Sequence, residues 1–180
     1  MTAPAFPADV LARAARIRLI GFDVDGTLTD GGLYYAADGS ESKRFHVQDG
    51  MGLVLLRQAG IATAWISARR SQATLLRGRE LGIAHLHLGE SDKLGCLRRI
   101  ASAQGLGLDE VAFMGDDLPD LAVLRAVGLA LAPANVHPWL LPVVHWVAPR
   151  GGGHGAVRDA CDLLLQAQGR VEALLGSQAL

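Results

Sequence analysis

Apolar runs of three to six residues alternate along this chain with amphipathic stretches of about ten residues. The runs Leu19 to Phe22, Ile61 to Ile66, Ala84 to Leu88, Val111 to Met114, Gly128 to Leu131 and His145 to Val147 read as strands, the first of them buried. The intervening stretches read as helices. A short one is capped by Asp9 and runs through Ala15. Asp49 to Gln58 is closed by Gly60, and Ser71 to Leu81 is stopped by Gly82. Asp92 to Ala103 has Ser91 or Asp92 as its cap. Leu118 to Val127 and Ala156 to Gln168 complete the set. Pro4 and Pro7 keep the first residues irregular. Pro133, Pro138 and Pro142 allow a short helix at most, and Gly169 to Leu180 is weakly specified. This alternation predicts an α/β fold of βαβ units, a Rossmann-like parallel sheet with helices on both faces, in one domain over 1–180.

One segment breaks the alternation. Leu33-Tyr34-Tyr35 reads as a strand, Asp38-Gly39 as a tight turn, and Glu41 to Phe45 as a returning strand. The expectation is a β-hairpin, about 31–45, projecting from the main sheet. Exposed Leu, Tyr and Phe residues there point to contact with another subunit.

Composition narrows the function. Half of the 180 residues are hydrophobic, and 17 basic residues face 18 acidic ones for a net charge of −1. There is no basic stripe, so no nucleic-acid partner is expected. No apolar run reaches the roughly 18 residues that span a bilayer, and the first residues lack a signal-peptide pattern. No membrane partner and a cytoplasmic location are the expectation. Cys96 and Cys161 read as buried thiols.

The chemistry gathers at strand ends. The first run delivers Asp23 and Asp25, two residues apart and able to address one small volume. It continues through Gly26, Thr27 and Thr29. The second ends in Ser67-Ala68-Arg69. Lys93 opens a later helix, and Val111 to Met114 leads into Gly115-Asp116-Asp117-Leu118-Pro119-Asp120. Together these make a carboxylate cluster with a hydroxyl and an ammonium, a set suited to phosphoryl transfer. Hard oxygens from Asp23 and Asp116 suit Mg²⁺. Lys93 and Ser67 suit phosphoryl oxygens. One aspartate can attack phosphorus, and another can serve as acid and then base.

The four motifs, DVDGT at Asp23 to Thr27, then Ser67, Lys93 and GDDLPD at Gly115 to Asp120, resemble the haloacid dehalogenase (HAD) superfamily of phosphatases. The resemblance implies Asp23 as nucleophile and Asp25 as general acid and base. It implies Mg²⁺ on the Asp23 side chain, the Asp25 carbonyl and the Asp116 side chain. Ser67 and Lys93 would bind the transferring phosphoryl group, and Asp117 and Asp120 would support the metal in roles left undivided. Across nearly the whole chain the sequence resembles the 3-deoxy-D-manno-octulosonate 8-phosphate phosphatase family. DVDGTLTDG, FHVQDGMG at Phe45 to Gly52, LGIAHLHLG at Leu81 to Gly89 and the run from Gly151 to Gly169 carry that likeness. It implies a capless HAD-like fold, a homotetramer closed by a neighbour's hairpin, and a role in lipopolysaccharide synthesis. It also places Asp25, His46, Val47, Gln48, Asp49, Gly50, Arg69, Arg77 and Lys93 around a small-molecule sugar-acid phosphate. Ala68, Val54 and His154 depart from residues common in the family, which leaves the sugar open. A nine-carbon sugar-acid 9-phosphate and a non-catalytic tetramer module are the alternatives.

Other features read as structural. His85 and His87 share a strand face with no third ligand near. Trp139 and Trp146 read as core or interface packing. Gly151 to Gly155 could hold an anion or cover the site.

Overall fold

Leu19 and Ile20 leave opposite faces of one strand, and each joins a different hydrophobic core. The structure is a computed structural model that describes residues 6–177, so Pro4 and the last three residues lie outside it. Six strands form the main sheet: β1 (Leu19–Phe22), β4 (Ala62–Ser67), β5 (His85–Leu88), β6 (Val111–Met114), β7 (Leu129–Ala132) and β8 (Trp146–Val147). Their order is β5-β4-β1-β6-β7-β8, with every pairing parallel. The central strands β1, β6 and β7 are buried on both faces, as continuous apolar runs demand.

Helices cover both sides. Ile20, Phe22, Trp65, Met114 and Leu131 pack with residues of α1 (Ala8–Ala14), α2 (Val47–Gln58) and α6 (Ala156–Ala167). Leu19, Ile66, Phe113 and Ala130 pack with α4 (Lys93–Ala103) and α5 (Leu121–Leu124). Each fully buried Leu, Ile or Phe contributes about 1.5–3 kcal/mol. α3 (Gln72–Glu80) lies beyond β4 and leaves Leu76 exposed. α7 (Val171–Ser177) occupies the stretch read as weakly specified.

The chain runs from β1 through β4 to β5 on one side, then returns to β6, β7 and β8 on the other. The order therefore switches between β1 and β6. In open parallel sheets the crevice at the carboxyl ends beside such a switch is where ligands bind.

The hairpin is present but shorter than expected. β2 (Tyr34–Tyr35) pairs antiparallel with β3 (Glu41–Ser42). Leu33, Tyr34 and Tyr35 are exposed, but Phe45 stacks on Trp65 with ring centroids 6.0 Å apart and packs against the core.

Two further readings are corrected. α1 begins at Ala8 after Pro7, so Asp9 lies in its first turn and is not its cap. The helix expected over Leu118 to Val127 is a 3₁₀ turn, Leu118–Asp120, followed by the single turn of α5. Pro119 favours a helix start there, and the Asp120 side chain turns back to accept from the amides of Asp116 and Asp117. Of the two tryptophans read as core or interface packing, Trp139 is 71 % exposed beside His137 and Trp146 packs edge-on against Phe6. Cys96 and Cys161 are both free and buried. No helix among the described residues is long and apolar enough to cross a membrane.

Candidate active site

Beyond Phe22 the chain keeps one more sheet bond, from the Asp23 amide to the Met114 carbonyl at 2.9 Å. That bond holds Asp23 at the mouth of the β1–β6 switch. Gly26 then turns the chain with φ +93°, and a Cβ there would stand 2.1 Å from Asp116 Oδ2. Only glycine meets both demands. The turn lets Thr27 Oγ1 donate to Asp116 Oδ1 at 3.1 Å. Thr29 Oγ1 accepts from the Gly26 and Gly31 amides and donates to the Val24 carbonyl.

Asp23, Asp116 and Asp120 each present a carboxylate oxygen within 4.8 Å of the others. Asp23 is 7 % exposed and Asp120 1 %. Lys93, at the start of α4, reaches in from the other side and donates to Asp23 Oδ1 at 2.5 Å and Asp120 Oδ1 at 2.6 Å. The two acids left undivided in the sequence separate clearly. Asp120 is buried in the cluster, whereas Asp117 is exposed and accepts from the Leu118 amide at 2.7 Å as a turn cap.

Three carboxylates around one ammonium leave unbalanced negative charge. Burial, then repulsion from Asp120, pushes Asp23 up to about 8. The same causes push Asp116 up to about 6. Burial raises Asp120 as well. Burial opposes the charge on Lys93, but Asp23 and Asp120 overcome it and hold the ammonium protonated. The cluster therefore retains a proton near neutral pH. A hard divalent cation fits this donor set, because it would replace that proton and neutralise the remaining charge. The Asp25 side chain is not part of the cluster.

Asp25 instead faces the hairpin. Its Oδ1 accepts from Lys43 Nζ, and its Oδ2 lies 3.8 Å from Arg69 Nε. Arg69 Nη2 donates to Glu41 Oε2 and to the Tyr35 hydroxyl, both at 2.8 Å. Lys43 Nζ lies 3.5 Å from Glu41 Oε1. Ser67, buried at the end of β4, has its Oγ accept from the Arg69 amide at 3.1 Å.

The glycine-rich segment lies against the same loop. A Cβ on Gly152 would stand 1.9 Å from the Gly26 carbonyl. Asn135 joins the two, donating to the Gly26 carbonyl at 3.0 Å and accepting from the Gly152 amide at 2.7 Å. Arg44 Nη2 donates to the Gly153 carbonyl at 3.0 Å, with Nη1 3.4 Å from His154 Nε2. A guanidinium therefore stands beside His154.

The residues expected around the sugar acid divide. Arg69 and Lys93 are at the site. Val47 is 79 % exposed, and Gln48 Oε1 accepts from Arg150 at 3.1 Å. Asp49 is buried in α2, and its Oδ1 accepts from the Arg158 amide in the first turn of α6 at 2.8 Å. It joins those two helices. A Cβ on Gly50 would meet Arg77 Nη2 at 2.4 Å, so this glycine makes room for the guanidinium. His46, Asp49, Gly50 and Arg77 line a cavity of about 10 Å³, room for one water and not for a sugar. Asp49 Oδ2, His46 Nδ1 and Trp65 Nε1, all from its lining, are buried without a hydrogen-bond partner among the described residues.

Lys43, Glu41, Asn135 and the Thr27 contact were not assigned from sequence. Polar alternation over Glu41 to Phe45 marked a strand, but nothing in it says that Lys43 turns inward. His85 and His87 join no group of three metal-ligating side chains among the described residues.

No family model matches the chain. A 3-deoxy-D-manno-octulosonate 8-phosphate phosphatase of Yersinia pestis is 44 % identical over 168 residues, 93 % of this chain and 90 % of that protein. The crystal structure of a hypothetical protein from Xanthomonas campestris matches with TM-score 0.97 and 49 % identity over all of both chains. A 3-deoxy-D-manno-octulosonate 8-phosphate phosphatase of Moraxella catarrhalis, solved with magnesium, phosphate and KDO, matches with TM-score 0.93 and 38 % identity over 96 % of this chain and 99 % of that one. With its parallel sheet, its paired acids at the β1–β6 switch and this likeness over nearly its full length, the chain belongs to the 3-deoxy-D-manno-octulosonate 8-phosphate phosphatase family of HAD phosphoric monoester hydrolases.

Proposed function

We propose that this chain hydrolyses 3-deoxy-D-manno-octulosonate 8-phosphate, with Mg²⁺ as its cofactor and Asp23 as its nucleophile. The observation that carries the reading is the convergence of Asp23, Asp116 and Asp120 within 4.8 Å beside Lys93 at the strand switch. Asp23 and Asp116, with the Asp25 carbonyl, would hold the ion. When bound, the ion supplies positive charge that offsets repulsion between an anionic nucleophile and an anionic phosphate.

In this reading an Asp23 oxygen forms a bond to phosphorus as the ester P–O bond breaks. The protonated Asp25 carboxyl gives its proton to the departing sugar oxygen. That leaves an acyl phosphate on Asp23 and a carboxylate on Asp25. Asp25 next takes a proton from water as the water oxygen attacks phosphorus, and Asp23 departs as a carboxylate. The sum is ester plus water giving sugar acid plus phosphate. Lys93 and Ser67 hold the phosphoryl oxygens as charge builds on them. Arg69, between the hairpin and Asp25, faces the sugar acid.

The same proposal includes a homotetramer in the cytoplasm, feeding lipopolysaccharide synthesis. Support for assembly is the exposed Leu33, Tyr34 and Tyr35 on the hairpin. Phosphate release from the eight-carbon and nine-carbon esters, each with Mg²⁺ and with EDTA, tests the reading. The expected result is turnover with Mg²⁺ alone and preference for the eight-carbon ester. Preference for the nine-carbon ester would reassign the substrate, and no Mg²⁺-dependent turnover of either would sink the enzyme reading. Light scattering checks the tetramer.

A further inference from the structure

Asp25 needs a defined orientation in both half-reactions, and its surroundings suggest what provides one. Lys43 leaves the returning arm of the hairpin with its side chain 1 % exposed, although its backbone lies near the surface. Its ammonium ends on Asp25 Oδ1. Burying a lysine costs hydration and side-chain freedom, so this is not a solvated surface pair. The other oxygen of Asp25 faces Arg69 at 3.8 Å. Glu41 stands between the two cations, 3.5 Å from Lys43 and 2.8 Å from Arg69. Asp25, Lys43, Glu41 and Arg69 form a closed ring of alternating charge. Tyr35, on the outgoing strand, donates no carboxylate but fixes Arg69 through its hydroxyl at 2.8 Å.

We propose that Lys43 is a positioning residue for Asp25, holding its carboxyl turned toward the leaving group, so that the pose of the hairpin governs proton transfer in its own chain's site. This rests on the reading of Asp25 as general acid. Lys43 touches the acid and takes no proton in the reaction. Arg69 flanks the acid but is itself held by Glu41 and Tyr35, so both cations on Asp25 are referenced to the hairpin.

Leaving-group dependence separates this role from a purely structural one. An alkoxide leaving group needs the proton of Asp25, whereas p-nitrophenolate leaves without it. Single-turnover cleavage of the eight-carbon ester and the pre-steady-state burst of p-nitrophenol from p-nitrophenyl phosphate would be measured for wild type, Lys43→Met, Lys43→Arg, Glu41→Gln and Asp25→Asn. In Lys43→Met, cleavage of the sugar ester should fall about 10²-fold, the loss expected for a misplaced catalytic group. KM should stay near the wild-type value and the nitrophenol burst should persist, as in Asp25→Asn. Lys43→Arg should recover part of the rate. Glu41→Gln, which keeps Lys43 but loosens it, should show the same pattern at smaller size and serves if Lys43→Met does not fold. Equal loss on both esters, or a raised KM with kcat kept, would overturn the proposal and make Lys43 a binding residue. If Asp25→Asn itself treats both esters alike, the acid role of Asp25 fails. If Asp25→Asn discriminates and Lys43→Met does not, only the role of Lys43 fails.

Discussion

The two aspartates of the first loop sit in opposite kinds of surroundings. Asp23 is enclosed by groups that leave strand ends or begin a helix: Asp116 and Asp120 after β6, and Lys93 at α4. Asp25, one residue further from the strand than Val24, is enclosed by Lys43 and Glu41 from the hairpin and Arg69 after β4. The first set is held by the sheet, whose register is fixed by buried apolar faces on both sides. The second is held by ion pairs across a two-residue ladder. One side of the site is therefore rigid and carries excess negative charge. The other is charge-balanced and depends on a small appended element. In the proposed reaction the first set fixes the nucleophile, and a cation in place of the retained proton would leave it ionised. The second fixes the orientation of the group proposed to donate a proton and then accept one.

The largest effect expected from the rigid side follows removal of its only ammonium among the described residues. Lys93→Ala leaves Asp23 and Asp120 buried without their partner, which costs about 3–5 kcal/mol. Chemical denaturation in EDTA should show a loss of that order, reduced by Mg²⁺. An unchanged midpoint would mean that the cluster simply takes up another proton.

Acidity sharpens the contrast next. Asp23 and Asp116, at about 8 and about 6, lie above their ordinary value of 3.8. A carboxyl raised on folding stabilises the folded chain fully below its unfolded value and loses that contribution as pH rises through its folded value. In EDTA the melting temperature should fall as pH climbs from about 4 to 8. Mg²⁺ competes with the retained proton, so its stabilising effect should grow over the same range. A melting temperature in EDTA that rises steadily over this range would contradict the charge imbalance.

A smaller effect is expected where the loop meets the glycine-rich segment. Asn135→Ala removes the bridge between the Gly26 carbonyl and the Gly152 amide, at a cost of about 1–3 kcal/mol if both groups stay buried. Thermal melting checks the stability. Activity lowered together with stability would show that the bridge holds the loop, and intact activity would show that Gly26 holds itself.

The same division explains what could be read in the chain. Continuous apolar runs identified β1, β4, β6 and β7 to within a residue or two, because strands buried on both faces have no other composition. Acids at the ends of such runs meet only if their strands are neighbours, a condition the alternation left open and the β1–β6 pairing meets. Asp23, Asp116 and Lys93 were legible as candidates and stand together, and Ser67 closes β4 as read. Lys43 and Asn135 were not. Their roles depend on where a turn and a loop fold back, and Lys43 in an exposed hairpin has the sequence of a solvated lysine. Asp49 carries a link that its run does not announce. It belongs to a run that resembles a sugar-contact segment, yet its carboxylate is engaged by the α6 amide of Arg158. Asp117 and Asp120 looked equivalent until the 3₁₀ turn pointed one outward and one inward.

The central claim is that phosphorus passes through Asp23. Wild-type protein mixed with the eight-carbon ester and Mg²⁺, quenched in acid within one turnover and digested, should yield a phosphorylated peptide with the modification on Asp23. Asp23→Asn should yield none and release no phosphate. A modification on Asp25, or none in wild type alongside undiminished phosphate release by Asp23→Asn, would contradict the account.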